Sequence, residues 1–161
     1  MKHLLVAIIA VLCLATFTPA FAIDQPRVVP RINQVPQPID KVFAQLKRYF
    51  SDPTTSHFQL VSADPRTHTI VAKQSGIDGA SWDNWAFCKA GPVQMVFKYE
   101  DGTATVTVKL EKTTRKSTLV SVSSDFQGEY ALGANKNEIP CSSKFALEDN
   151  ILAVASAAGA K

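Results

Sequence analysis

The sequence predicts an α+β fold in which one antiparallel sheet of about five strands carries an N-terminal and a C-terminal helix on one face. Segments that alternate apolar and polar residues fill the middle of the chain, whereas segments with helical periodicity lie at both ends. A chain of 161 residues also has the length of one domain with a single core. We therefore expect one α+β domain over residues 38–158.

The first 22 residues have the features of a secretory signal peptide. A positive start is followed by an uncharged apolar run over 4–17 and by Ala20-Phe21-Ala22, which matches the small-residue pattern of a cleavage site. The alternative is an uncleaved membrane anchor, but the apolar run is short for a hydrocarbon core of ~30 Å. We expect cleavage after Ala22 and export to the periplasm or the exterior, with no stable membrane span.

Residues 23–37 form a proline-rich arm ahead of the domain. Pro26, Pro30 and Pro36 interrupt this segment, and no apolar period is sustained in it. An extended, partly polyproline-like backbone is therefore expected. The arm acts either as a spacer or as a strap that lies along a partner or along the domain itself.

The domain begins with a predicted helix and a predicted hairpin. Helical spacing places five apolar side chains on one side of the segment Ile39 to Phe50: Ile39, Val42, Phe43, Leu46 and Phe50. Two short strands, at 57–63 and 69–74, then flank Asp64-Pro65, a pair that favours a turn.

Asp101-Gly102 predicts the central hairpin. The pair separates two alternating runs, 93–100 and 103–111, and Asp-Gly favours a two-residue type I′ turn. A turn at this point would place Tyr99 opposite Ala104, and it would give the hairpin one apolar and one polar face.

The remaining chain is predicted to add a strand, a loop and a helix. The strand runs from 116 to about 126 after a polar turn near Thr113, and a three-residue loop would set Val120 opposite Val108. Glycine and asparagine in 127–140 indicate a loop. The last helix starts after Ser142 or Ser143, either of which is a suitable cap, and ends near 157. Its predicted buried line consists of Leu147, Ile151, Val154 and Ala158.

The segment SWDNWAFCK, residues 81–89, is predicted to make a short helical turn near 80–88. In one interpretation its aromatic residues plug an open end of the core. In the other they form a binding surface, made of Trp82, Trp85 and Phe87, that stacks on a ligand.

Cys88 and Cys141 are the two cysteines that remain after removal of the signal peptide. An even pair in an exported chain predicts a disulfide. Cys13 follows Leu12 rather than a small residue, so a lipidated N-terminus is disfavoured.

No segment predicts catalysis, a cofactor or a metal site. His57 and His68, which flank the first hairpin together with Asp64, make at most a weak cluster, and histidines at surface turns explain them better. Serines of the third strand lack the surroundings of a nucleophile. A net charge of +3, spread along the chain, gives no basic stripe for nucleic acid. We therefore expect a protein that is not an enzyme.

Four segments carry a resemblance to a known family: VFAQLKRYF, FQLVSADPRTHTIVAK, VTVKLE and TLVSVSSDF. Their order resembles the helix-grip domains of the C lipoprotein of the bacterial β-barrel assembly machinery. The phrases SHFQLVSAD, WAFCK and DGTATVTVKLE are also similar to small exported proteins of Gram-negative bacteria. The resemblance implies a helix-grip-like fold, a location in the cell envelope and action by binding, and it implies no catalytic residue.

Two functions follow as expectations. The first is a non-enzymatic envelope protein that binds another protein or peptide through its sheet edge, its proline arm or the aromatic segment. The alternative is a carrier of an apolar small molecule or lipid in a cavity between helix and sheet.

Overall fold

The computed structural model describes residues 28–77, 79–88, 99–132 and 135–157. The predicted signal peptide, the start of the arm at 23–27 and most of the predicted strand 93–100 lie outside the described residues. Over the described residues the protein is α+β, with one open antiparallel sheet of seven strands and with four helices. The sheet is thus larger than the predicted sheet of about five strands.

The elements follow one another along the chain with short connections. They are β1 (Arg31–Val35), α1 (Ile39–Ser51), α2 (Pro53–Ser56), β2 (Gln59–Asp64), β3 (Thr69–Ser75), α3 (Gly79–Trp85), β4 (Ala86–Cys88), β5 (Tyr99–Thr114), β6 (Ser117–Leu132), β7 (Asn135–Ser143) and α4 (Ala146–Ser156). The strand order in the sheet is β2-β3-β5-β6-β7-β4, and β1 pairs with β6. Because β5 pairs with nearly all of β6, β1 and β7 share the other edge of β6.

The first helix and the first hairpin agree with the sequence-based prediction. Helix α1 buries Val42, Phe43, Leu46 and Phe50, which lie on one side of the helix. Strands β2 and β3 pair across the predicted turn, where Asp64 accepts hydrogen bonds from the Arg66 backbone N–H at 2.9 Å and the Thr67 hydroxyl at 3.0 Å. Helix α1 and this hairpin are therefore specified by residues that lie close together in the sequence.

The predicted turn at Asp101-Gly102 is wrong. Strand β5 runs straight through this pair, and Gly102 lies opposite Gly128 of β6. Tyr99 accordingly pairs with Tyr130 instead of Ala104. The glycine serves close packing here, because a Cβ at Gly102 would overlap the Trp82 ring and lie 2.8 Å from its Cη2.

The predicted alternation of faces in 103–110 is confirmed. Four apolar side chains of β5 are buried: Ala104, Val106, Val108 and Leu110. The intervening threonines are partly exposed. One face of the strand is therefore packed and the other faces solvent, as in a half-buried antiparallel sheet.

The pairing of β5 with β6 differs from the prediction by two residues. Val108 lies opposite Val122, and Leu110 lies opposite Val120. The cause is a turn of two residues, Arg115 and Lys116, together with a register irregularity between Lys112 and Thr114, so the three-residue loop is wrong. A shift by two keeps every side chain on its predicted face.

The predicted loop over 127–140 is also wrong. Strand β6 continues to Leu132, and β7 begins at Asn135 and pairs with it along Phe126–Leu132. Glycine and asparagine have low intrinsic strand preference, but pairing with a long neighbouring strand overrides that preference.

Helix α4 ends the described chain. It buries Leu147, Glu148, Ile151, Leu152 and Ala155. Val154 of the predicted buried line is only partly buried, and Ala158 lies outside the described residues.

Ser143 lies at the end of β7, ahead of α4. Its hydroxyl accepts the Phe145 N–H at 2.8 Å and donates to the Glu148 carboxylate at 2.9 Å. Phe145 itself is the residue at the N-cap position, so the predicted serine cap is replaced by a serine that supports the turn before the helix.

The helices contact the sheet at overlapping sets of strands. Helix α1 contacts β2, β3, β5 and β6, and α4 contacts β6 and β1. The two helices also meet, because the Gln45 side chain donates a hydrogen bond to the Val154 carbonyl at 2.6 Å. No helix within the described ranges is long and apolar enough to cross a bilayer.

Part of the proline-rich arm lies along the domain as β1. Arg31–Val35 pairs with Thr118–Val122 of β6, and Val35 is fully buried. The Arg31 guanidinium donates to both carboxylate oxygens of Asp149 at 3.1 and 3.2 Å and lies 5.0 Å from the centre of the Phe145 ring. Over these residues the arm is a strap held against β6 and α4.

Candidate functional site

The predicted disulfide between Cys88 and Cys141 is present. The two cysteines lie directly opposite each other in β4 and β7, and each is 5% exposed. The bond therefore joins the short strand that follows the aromatic segment to the strand that leads into α4.

Trp82 is part of the core. Its side chain is 3% exposed, its ring packs edge-on against Phe126 at 5.6 Å between centroids, and its Nε1 lies 3.1 Å from the Cys88 sulfur. The ring also covers Gly102 of β5. Trp82 thus has the position expected for a structural plug, with no face of its ring open to a ligand.

Trp85 and Phe87 point to different surroundings. Trp85 is partly buried and stacks on Phe58 at 6.3 Å with an interplanar angle of 29°. Phe87 is 48% exposed on β4, opposite Ser142. The three aromatic residues therefore do not form one continuous exposed surface, and a binding role for Trp85 and Phe87 stays a prediction.

A groove with a volume of about 780 Å³ lies where β2 starts and β3 ends, next to the C-terminal end of α1. Its volume is within the range of ligand sites, which is about 300–1,000 Å³. The lining residues come from α1, α2, β2, β3 and the connection between α2 and β2: Phe50, Ser51, Pro53, His57, Phe58, Gln59, Leu60, Lys73, Gln74 and Ser75. No sequence motif marks this set.

The groove exists because β2 is shorter than β3 at this end. Pairing between them stops at Gln59 and Lys73, so Gln74 and Ser75 are paired with β5 alone among the described strands. His57 has a left-handed backbone conformation, with φ 60°, which turns the incoming chain out of the sheet. Backbone groups of successive strand residues point to opposite sides, so one of these two residues presents its N–H and C=O to the groove.

The groove lies above packed aromatic side chains and contains polar groups without partners in the part of the chain that the structure describes. Phe50 and Phe58 are each 1% exposed, and their rings meet edge to face at 6.0 Å. The buried side-chain oxygen of Gln74 has no hydrogen-bond partner within the described chain. Lys73 is exposed and has no acidic partner within ion-pair distance among the described residues.

Asp52 fixes the wall of the groove that α2 provides. Its carboxylate accepts hydrogen bonds from the Thr54 backbone N–H at 3.0 Å and the Thr55 hydroxyl at 2.7 Å, as well as from the Thr54 hydroxyl. Ser56 continues the network, since its hydroxyl accepts the Phe58 N–H at 3.1 Å. The turn that carries His57 and Phe58 is therefore tied to the end of α1.

The pKa of Asp52 predicts a pH dependence of this wall. Hydrogen bonds from Thr54, and then from Thr55, lower the pKa of Asp52 below its ordinary value. The stabilisation is therefore complete above the unfolded pKa of about 3.9 and is lost as the pH falls through the lower folded pKa. We expect NMR titration of the carboxyl carbon to give a folded pKa below the ordinary value.

Asp64 is the matched control, because hydrogen bonds from Arg66 and Thr67 also lower its pKa, at a site away from the groove. Asp52→Asn should remove part of the acid-induced loss of stability and perturb groove resonances, whereas Asp64→Asn should leave the groove resonances in place. An unshifted Asp52 pKa would contradict the capping role.

The weak cluster considered around the first hairpin is divided between different neighbours. His57 lines the groove, whereas His68 contacts the Phe43 ring at 5.8 Å and lies 3.7 Å from the Asp40 carboxylate. Across the ranges that the structure describes, no group of three or more histidine, cysteine or acidic side chains is placed to hold a metal ion.

Comparison with known proteins gives one similar solved structure. No family model matches the chain, and no curated protein matches it. The chain is similar to a DUF4468 family protein from Bacteroides ovatus ATCC 8483, with 11% sequence identity and a TM-score of 0.38. The match covers 72% of this chain and 62% of that chain, so the chain spans less than two thirds of that protein.

Proposed function

We propose that this chain is a non-enzymatic exported envelope protein that binds another protein or a peptide at the groove beside Gln74 and Ser75. The observation that carries the proposal is the end of β3 that no described strand pairs with on the β2 side, where strand backbone lies beside the apolar side chain of Leu60. An extended peptide paired with this edge would continue the track of β2, and its side chains would alternate between the groove and solvent.

Features away from the groove support export and a binding role. Export is supported by the Cys88–Cys141 disulfide, since such bonds persist in oxidising compartments. The signal-like first 22 residues support the same location. We further propose a helix-grip-like arrangement, with α1 and α4 on one face of the sheet, supported by the contact between Gln45 and Val154. Domains of this kind act by binding.

Selection from a random library of linear peptides tests the function. The library is displayed in two formats, one with free C-termini and one with C-termini fused to the carrier, and the oxidised protein is the target. We expect binders whose addition shifts the backbone amide resonances of Leu60, Gln74 and Ser75.

Two tryptophan substitutions on α1 form a matched pair. Ser51 and Ala44 are both exposed, but only Ser51 lines the groove. Ser51→Trp should weaken peptide binding by about tenfold or more, which corresponds to about 1.4 kcal/mol, and Ala44→Trp should leave it unchanged. Equal binding by both variants, or no binder in either format, would refute the proposal.

The apolar surface of the groove supports a second candidate function, that of a carrier of an apolar small molecule or lipid. Pro53 and Leu60 provide that surface, above the buried rings of Phe50 and Phe58. Oleate serves as the probe in the same NMR experiment. The carrier function would replace peptide binding if the peptide selection gave no binder and oleate shifted the resonances of groove residues. Ser51→Trp should then abolish those shifts.

A further inference from the structure

The geometry points to the C-terminal residue of a peptide, with an apolar side chain and a free carboxylate, as the ligand of the groove. This inference rests on the proposed peptide-binding function and adds the chemical class of the ligand. Four separate features of the groove correspond to four chemical groups of such a residue.

The first correspondence is between main chains. Gln74 and Ser75 extend β3 beyond the start of β2, leaving a strand edge two residues long that is open within the described chain. So short an edge pairs with the end of a peptide without requiring a long strand to continue past it. His57, which has a φ of 60°, lines the groove next to the start of β2.

The second correspondence involves a buried acceptor. The side-chain oxygen of Gln74 is buried without a hydrogen-bond partner, which is an unfavourable state for a polar group in a protein. Gln74 lines the groove, so a rotation of its side chain that exposes this oxygen would let a ligand N–H satisfy it. The backbone N–H of the last peptide residue is such a donor.

The third correspondence concerns charge. The ten residues that line the groove include Lys73 and His57 and contain no aspartate or glutamate. Lys73 has no ion-pair partner in the described part of the chain, which makes its ammonium group free to bind an anion. A carboxylate next to a peptide N–H occurs at the C-terminus of every chain, and capture of that group is an established mode of peptide recognition.

The fourth correspondence is the apolar surface of Pro53 and Leu60, which lies above the buried rings of Phe50 and Phe58. Phe58 is held from behind by Trp85, whose ring stacks on it. A ligand side chain placed here would cover apolar carbon of Pro53 and Leu60, so an apolar last residue is favoured over a polar one.

Synthetic peptides test the ligand class. A peptide from the selection is made with a C-terminal carboxylate, with a C-terminal amide, and as an amide whose last residue is glutamate. We expect the carboxylate form to bind about tenfold more tightly than either amide, a ratio close to the lower end of the range for hydrogen bonds to charged groups. Lys73→Gln should reduce that ratio to about twofold.

Lys109→Gln is the control, because Lys109 is another exposed lysine of the sheet and lies outside the groove. It should preserve the full ratio. Equal affinity of the carboxylate and amide peptides, a tight glutamate amide, or a ratio insensitive to Lys73→Gln would each overturn the inference while leaving peptide binding intact. An empty selection in both formats would instead refute the proposed function itself.

Discussion

Replacing both disulfide cysteines, in the variant Cys88→Ala with Cys141→Ala, should lower the free energy of unfolding by about 4 kcal/mol. The bond closes a loop with a sequence separation of 53, and its loss releases the entropy of that loop in the unfolded chain. Because typical domains have a total stability of about 5–15 kcal/mol, the variant should unfold at a much lower urea concentration. Urea titration followed by circular dichroism measures this change.

Reduction of the unmodified protein is the control for the two substitutions. Dithiothreitol should destabilise the wild-type chain by a similar amount and should leave the alanine variant unaffected. The slope of the urea dependence should increase in both cases, since an uncrosslinked unfolded chain exposes more surface. A loss below about 1 kcal/mol would contradict a constraint acting through the unfolded state.

Gly102→Ala should be the second most damaging change, with a loss of about 3 kcal/mol through overpacking. The new Cβ would overlap the ring of Trp82, which cannot move freely because it is buried and packed against Phe126. Strand β5 and helix α3 would then have to separate. Urea unfolding gives the magnitude, and near-ultraviolet circular dichroism reports the displaced tryptophan.

A double variant identifies the cause. Trp82→Leu removes the ring, so the loss in Gly102→Ala with Trp82→Leu should be smaller than the sum of the two single losses by about 1–3 kcal/mol. Gly76→Ala is the matched control, because Gly76 has a φ of +67° and no atom near its Cβ position. Its smaller loss, about 1 kcal/mol, should add independently to that of Trp82→Leu. Additive losses at Gly102 and Trp82 would refute the packing explanation.

The parts of the fold that the sequence predicts are those with local signals. Helix α1 follows from the spacing of Val42, Leu46 and Phe50, and the first hairpin follows from the turn chemistry of Asp64. The alternation of buried and exposed side chains in β5 survives even though its predicted partner strand was wrong.

Gly102 shows why the remaining topology was not predictable. An Asp-Gly pair has the same appearance whether the glycine relieves backbone strain in a turn or makes room for a ring. The second role requires Trp82, which is 20 positions away in the sequence and contacts Gly102 only because α3 packs against β5. The extension of β6 to Leu132 depends in the same way on a partner strand.

The groove was missed for a related reason. It is created by a difference in length between β2 and β3, and neither Gln74 nor Ser75 differs in sequence from an ordinary strand residue. The one local signal is the segment from Asp52 to His57. Asp52 caps the short helix α2, and His57 ends it with a left-handed backbone conformation just before β2. The sequence indicated the aromatic segment instead, because tryptophan is rare, but Trp82 is buried in the core.

The strap β1 makes contacts that a newly synthesised chain can form only late in its synthesis. Arg31 is synthesised early, yet its ionic partner Asp149 follows 118 positions later. At a synthesis rate of roughly 5–20 residues per second, the wait is about 6–24 s. The β6 residues that pair with β1, Thr118–Val122, are made before Asp149, so β1 can join the sheet first and the ion pair closes over it only at the end of synthesis.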